Sequence, residues 1–163
     1  MESVQTNMHI LKPSRKGPLP GDVFVLQMPD EMYSFGRVIS TSAMVGGRIQ
    51  AQLIYVYKVR SDSKALPERS ELRSDCLLIP PMMTNRLPWS RGYLETVANL
   101  PLERDDVLSQ HCFFDSSFRK YVDEFGDDLP GPVEPVGEHG LQSFRTIDDS
   151  VSAVLGIPLV PDA

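Results

Sequence analysis

Three histidines, His9, His111 and His139, are the side chains best suited to bind a metal or move a proton near neutral pH. Of the three, only His111 stands beside a cysteine, Cys112. Adjacent strand residues project to opposite faces, so this pair meets one ion only across a bulge. A set drawn from His111, His139, Asp115 and Glu138 is a further arrangement to test, although a partly buried or solvated histidine is the commoner fate. Cys112 precedes Phe113-Phe114, which favours an inert buried thiol. Activation requires an imidazole within hydrogen-bonding reach, and adjacency in sequence does not supply that. The chain has no Gly-rich turn followed by Lys-Ser/Thr, no G-x-G-x-x-G, no H-E-x-x-H and no G-x-S-x-G. No catalytic residue, metal or cofactor is therefore predicted. Asp105-Asp106 is a carboxylate pair, but with Arg104 beside it a solvated turn is expected.

A second group suits recognition rather than catalysis. On a strand, Tyr33, Phe35 and Arg37 share one face. Gly36 leaves a gap on the other, where a second chain segment can come close. Arginine and aromatic residues carry much of the energy at protein interfaces, so Tyr33, Phe35 and Arg37 are partner-binding candidates. The acidic run Asp123, Glu124, Asp127 and Asp128 is the other, since clustered carboxylates steer a basic partner.

These residues need a frame, and the sequence supplies one as strands. GDVFVLQM leads to a turn at Pro29-Asp30-Glu31; YSFGRVIST runs to Gly46-Gly47; RIQAQLIYVYKV follows. Proline pre-sets φ for the second turn position, and paired glycines accept the positive φ of a tight hairpin. Ile49, Ala51, Leu53, Tyr55, Tyr57 and Val59 alternate onto one face, with Ile54 and Val56 as exceptions on the other. A three-stranded antiparallel meander over 21–59 is predicted, with one face partly solvated.

Further short strands are expected at 76–79, 92–100, 110–114 and 141–144. A helical turn is expected after Pro67, and a loop with the single tryptophan, Trp89, folded over the sheet. The spacing of Phe118, Tyr121, Val122 and Phe125, behind Asp115-Ser116-Ser117, predicts a short helix over 118–125. A second short helix is expected over 148–155, stopped by Gly156 and Pro158, and 127–140 reads as a loop. The whole is a mainly β domain: a strongly bent antiparallel sheet or partial barrel, with two short helices. Residues 1–20 form a flexible basic arm and 21–163 a single domain with an acidic last third.

Composition bounds the partners. The chain has 163 residues and a net charge of −6. Residues 121–163 hold one basic residue, Arg145, against nine acidic ones. Nucleic acid and anionic membrane are disfavoured by such a field, and a basic protein is favoured. No apolar run has bilayer length. The first residues lack a secretory h-region, and Cys76 and Cys112 are too few for a disulfide framework, so a cytoplasmic setting is expected.

The segment GDVFVLQMPDEMYSFGRVI resembles the immunity protein 26 family of bacterial polymorphic toxin systems. Members open with a basic arm and Gly-Asp-hydrophobic-hydrophobic, here Gly21, Asp22, Val23 and Phe24. A Tyr/Phe-Gly-Arg-Val strand follows, here Tyr33, Phe35, Gly36, Arg37 and Val38. The resemblance covers the first meander and implies a small, mostly β cytoplasmic protein that binds and blocks a cognate toxin. The same grouping carries a small phosphotriesterase, so metal-assisted hydrolysis of organophosphate triesters is the alternative. The grouping supplies no catalytic signature to match to residues of this chain.

Overall fold

Period-two alternation and two glycines at positive φ build a long hairpin, and the rest of the chain is laid on its two faces. The computed structural model describes residues 5–161. The elements, in chain order, are β1 (Asp22–Gln27), β2 (Tyr33–Val45), β3 (Ile49–Ser61), β4 (Met82–Thr84), α1 (Leu87–Ser90) and β5 (Glu95–Asn99). β6 (Cys112–Asp115), β7 (Lys120–Val122), β8 (Asp128–Leu129), β9 (Val136–Glu138), β10 (Leu141–Gln142) and α2 (Phe144–Leu155) complete them. Short 3₁₀ turns lie at Arg69–Glu71 and Arg104–Asp106.

The expected meander is present. β1 pairs antiparallel with β2, and β2 with β3. Gly46 and Gly47 turn the second hairpin at φ of 61° and 68°, the left-handed values a tight two-residue hairpin requires. At the first turn Arg60 forks onto Asp30 at 2.8 and 2.9 Å. That hydrogen bond, foremost among several causes, holds the Asp30 carboxyl below its ordinary range.

The fold is mainly β, with two short helices, but it is neither one bent sheet nor a barrel. The strands divide into a first sheet in the order β10-β4-β3-β2-β1-β5 and a second in the order β8-β7-β6-β9; neither closes. Both are mixed, because β10 runs parallel to β4 and β9 parallel to β6. The exceptions to alternation in β3 explain the layering. Ile54 and Val56 belong to one core with Phe24, Leu26, Val38, Trp89 and Ile147. Leu53, Tyr55 and Tyr57 belong to the other, with Val23, Phe35, Phe113 and Val122. The central sheet is thus covered on both faces, by the two helices on one side and by the second sheet on the other. Strands buried on both faces read as continuous apolar runs.

The helix expected over 118–125 is not formed. Asp115 does not cap a helix; its Oδ1 accepts the N–H groups of Ser117 and Phe118, an Asx-type turn. Arg119 then takes φ of 52° and the chain returns as β7. Period two wins over helical spacing because Phe113 and Val122, partners across the hairpin, both bury against the first sheet. The helices lie elsewhere. Proline at the first turn starts α1. Trp89, on α1, meets Phe24 edge-on at 5.8 Å. Helix α2 begins four residues before the expected start, because Ser143 caps it by accepting the Thr146 N–H. Gly156 ends it at φ of 71°, as expected. Residues 76–79 make only an isolated bridge, Tyr57 to Leu77, and the expected loop 127–140 contains β8 and β9.

The segment expected as a loose arm is tied to the body from Gln5, whose carbonyl accepts a hydrogen bond from Arg145 Nη1 at 3.2 Å. The His9, Leu11 and Ser14 N–H groups donate to the carbonyls of Gln27, Gly92 and Trp89 at 2.7–3.0 Å. Asp148, buried on α2, accepts the Asn7 N–H at 3.0 Å and the Met8 N–H at 2.8 Å. Met8 then fills the helix-side core, because Asp148 satisfies the two backbone donors buried beside it.

Burial pushes the Asp148 carboxyl above its ordinary range, against the two backbone hydrogen bonds. The native state therefore takes up this proton more readily than the unfolded chain. The group's contribution to stability rises as pH falls through its native pKa toward 3.8, and falls as pH rises through the same window. Asp148→Asn removes that proton linkage and turns one acceptor into a donor facing a backbone N–H. The variant is expected to be less stable by about 1–3 kcal/mol at neutral pH. Its deficit against the native protein should widen on acidification toward pH 4; urea melts of both proteins between pH 4 and 7 measure it.

Candidate functional site

The signature strand is built into the frame. Phe35 lies in the sheet-side core. Gly36 faces the other way, and the Phe24 ring occupies the space its side chain would fill: a Cβ there would stand 2.2 Å from Phe24 Cζ and 2.6 Å from the Tyr55 carbonyl oxygen. The gap read from the sequence is real, and it is filled from within the chain. Gly21, at φ of 88°, brings its backbone against the Leu100 carbonyl. Asp22 accepts the Leu19 N–H at 2.9 Å and the Asn99 amide at 2.9 Å.

Arg37 is 0% exposed. Its guanidinium pairs with Asp106 at 3.2 Å and donates to the carbonyls of Leu100, Pro101 and Leu72. The Leu100 and Pro101 bonds are 2.5 and 3.2 Å, and the Leu72 bond is 3.4 Å. Asp106 also accepts the Glu103 N–H at 2.8 Å and approaches Arg69 at 3.3 Å. The expected solvated turn at Asp105-Asp106 is thus half wrong, because Asp106 is buried against a cation from β2. The same guanidinium offsets part of the burial that raises the Tyr57 hydroxyl above its ordinary range. In this conformation neither Phe35 nor Arg37 offers atoms to a partner. Tyr33 is half-buried, with the Lys64 ammonium 5.8 Å over its ring.

The acidic run lies in the turn after β7, and its members do different things. Asp123 accepts the N–H groups of Phe125 and Asp127 at 2.9 and 3.0 Å, which shapes the turn. The Glu124 carbonyl accepts the Met44 N–H at 2.8 Å, and its carboxylate reaches His111. Asp128 pairs with Lys120 at 2.9 Å across β7 and β8. Asp127 is exposed, as are Glu134 and Glu138.

The histidines separate rather than converge. His111 Nε2 lies 2.6 Å from the Tyr55 hydroxyl, which accepts the Leu108 N–H at 3.0 Å. Burial, above other causes, raises the Tyr55 hydroxyl well beyond its ordinary range, so it keeps its proton and donates it to Nε2. Nδ1–H then faces Glu124. His139 Nε2 accepts the Gly46 N–H at 3.1 Å, which leaves Nδ1–H directed at Asp115, 3.5 Å away. His111 and His139 therefore join the second sheet to the central hairpin, while His9 lies in the N-terminal segment. His111 and Asp115 do not share a ligand set, and among the described residues no group of three His, Cys, Asp or Glu is placed to hold a metal ion. Cys76 and Cys112 are free thiols; Cys112 is buried and its Sγ accepts the Val133 N–H at 3.4 Å.

What the second sheet leaves outside is the surface most suited to recognition. Phe113 and Val122 point inward, so their neighbours Phe114 and Tyr121 point outward, as period two demands. Their rings meet at 5.2 Å. Sequence reasoning missed this pair because it placed Tyr121 on a helix. The alternation Cys112-Phe113-Phe114, continued across a hairpin, was the signal that finds it.

No curated protein and no solved structure matches the chain. Residues 19–121 match the family model described as Immunity protein 26. That span takes in β1 to β6 and most of β7, and with it the buried Gly21-Asp22, Phe24-Gly36 and Arg37-Asp106 contacts. With more than half of its length inside that match, the chain belongs to the Immunity protein 26 family.

Proposed function

We propose that this protein binds a cognate bacterial toxin and neutralises it by occluding its active surface. Membership of an immunity family carries the reading, because such a family implies a toxin to be bound. The charge distribution supports a basic toxin: Arg145 is the single basic residue after Lys120, against nine acids. The two free thiols accord with work in the cytoplasm.

Co-expression with a toxin domain found in a reading frame neighbouring the gene tests it. Growth should be restored and a stoichiometric complex should co-purify; continued killing with no complex overturns the reading. Steering adds a kinetic signature. Asp127, Glu134 and Glu138 are the acids to neutralise, since Asp123 and Glu124 also hold the turn together. Replacing the three by Asn or Gln should slow association several-fold at low salt. The difference should shrink near physiological salt, where the Debye length is about 8 Å. Stopped-flow association rates measure it.

A further inference from the structure

We propose that the outward face of the second sheet is the docking surface, and that its occupant is an arginine-bearing segment of the toxin. This rests on the toxin-binding reading and adds to it the face and the chemistry of the contact. The register places four residues in one row across four strands: Leu129 beside Tyr121, Tyr121 beside Phe114, and Phe114 beside Glu138. Phe118, in the turn between β6 and β7, is 75% exposed, and Phe114 is 37% exposed. Phe114 and Tyr121, whose rings meet at 5.2 Å, form an outward aromatic pair, and contiguous exposed apolar surface marks interaction sites.

The rim decides what that partner is. Glu138 closes the row beside Phe114, and Leu129 ends it on the other side. Lys120 already pairs with Asp128 and lies 5.5 Å over the Phe118 ring. Lys120 and Asp128 alternate with Tyr121 and Leu129, so this pair lies on the side of Val122 and not in the row. It shows only that the Phe118 ring, in the turn, takes a cation with a carboxylate nearby. A guanidinium fits such a face best, because it stacks flat on aromatic rings while its edge donates to a carboxylate. An anionic or purely apolar occupant leaves Glu138 unpaired.

The face is also rigid. Phe113 and Val122 pack beneath it. Tyr55–His111, Met44–Glu124 and Gly46–His139 hydrogen bonds fasten the start of β6, the turn after β7 and the segment after β9 to the first sheet. His111–Glu124 and His139–Asp115 tie those segments to one another. A surface held in its bound shape loses little conformational freedom on association.

The test uses a purified toxin domain that this protein neutralises in the co-expression experiment. Phe118→Glu places a charge at an exposed turn position and Phe114→Ser removes the central ring; Leu159→Ser, at an exposed residue outside the second sheet, is the control. The double variant Phe114→Ser/Phe118→Glu should weaken binding on the order of 30-fold or more, mainly through faster dissociation. Leu159→Ser should change it less than about threefold, as surface positions away from an interface do. Hydrogen exchange on the native protein gives a readout that no substitution can confound: β6 and β7 should gain protection when the toxin domain is bound. If the toxin domain binds without protecting these strands, or binds both variants alike, the face is wrong and the toxin reading stands. Failure of the native protein to bind overturns both. Self-association of the native protein through this face, abolished by Phe118→Glu, overturns the proposed occupant.

Discussion

Arg37→Met is expected to destabilise the protein by about 3–5 kcal/mol, the usual cost of breaking a buried ion pair by removing one partner. The lost methylene packing is small, since Met has nearly the reach of Arg. The loss comes from Asp106, left buried with only the half-exposed Arg69 at 3.3 Å and the Glu103 N–H, and from the carbonyls of Leu100 and Leu72, which lose their donor, while Pro101 keeps Arg69. These carbonyls belong to two segments far apart in sequence, one before β4 and one after β5. Arg37 thus holds both to the centre of the sheet. For a chain of this length the melting temperature should fall by about 10 °C or more. The double variant Arg37→Met/Asp106→Leu should recover much of the loss, because replacing both members of a buried pair by apolar groups is often near neutral. Calorimetry of the single and double variants measures it. A melting temperature unchanged by Arg37→Met would mean the cation contributes nothing to holding these segments.

The positions where sequence reasoning succeeded and failed have one physical basis. β1 to β3 were legible because their signals are local: alternation sets the strand, and glycine or proline sets the turn. Helix α2 was legible at its end, where Gly156 sits at positive φ. Its start was missed because Phe144 and Ile147 look equally like strand residues until Ser143 is recognised as a cap. The hairpin of β6 and β7 was missed because Phe118, Tyr121, Val122 and Phe125 satisfy helical spacing on their own. Only the burial of Phe113 and Val122 against a sheet distant in sequence selects the strand. The role of Arg37 had the same origin. Its type and face were read correctly, but Asp106, the residue that draws it inward, lies beyond any local pattern. The signature that identifies the family is therefore chiefly a record of what closes the frame.

The second large effect follows from that frame. Gly36→Ala places a methyl carbon 2.2–2.4 Å from the Phe24 ring and 2.6 Å from the Tyr55 carbonyl oxygen. The ring can move only into a helix-side core already filled by Trp89 and Ile147, and the carbonyl belongs to β3, so neither neighbour yields easily. Overpacking of this kind costs about 1–3 kcal/mol or more. Phe24→Ala is the complementary lesion and should cost about 3–5 kcal/mol by opening a cavity beside Trp89. The two residues are partners across β1 and β2, so their effects should not add. In the double variant Gly36→Ala/Phe24→Ala, the new methyl enters space the ring has left. The combined loss should then be smaller than the sum of the single losses by about 0.5–3 kcal/mol, the range seen for contacting residues. The rescue is partial because the Tyr55 carbonyl remains at 2.6 Å in either background. Denaturant melts of the four proteins complete the cycle. Strict additivity would show that the glycine is required by the backbone of β3 alone, and that the Phe24 ring rests on it without dictating it.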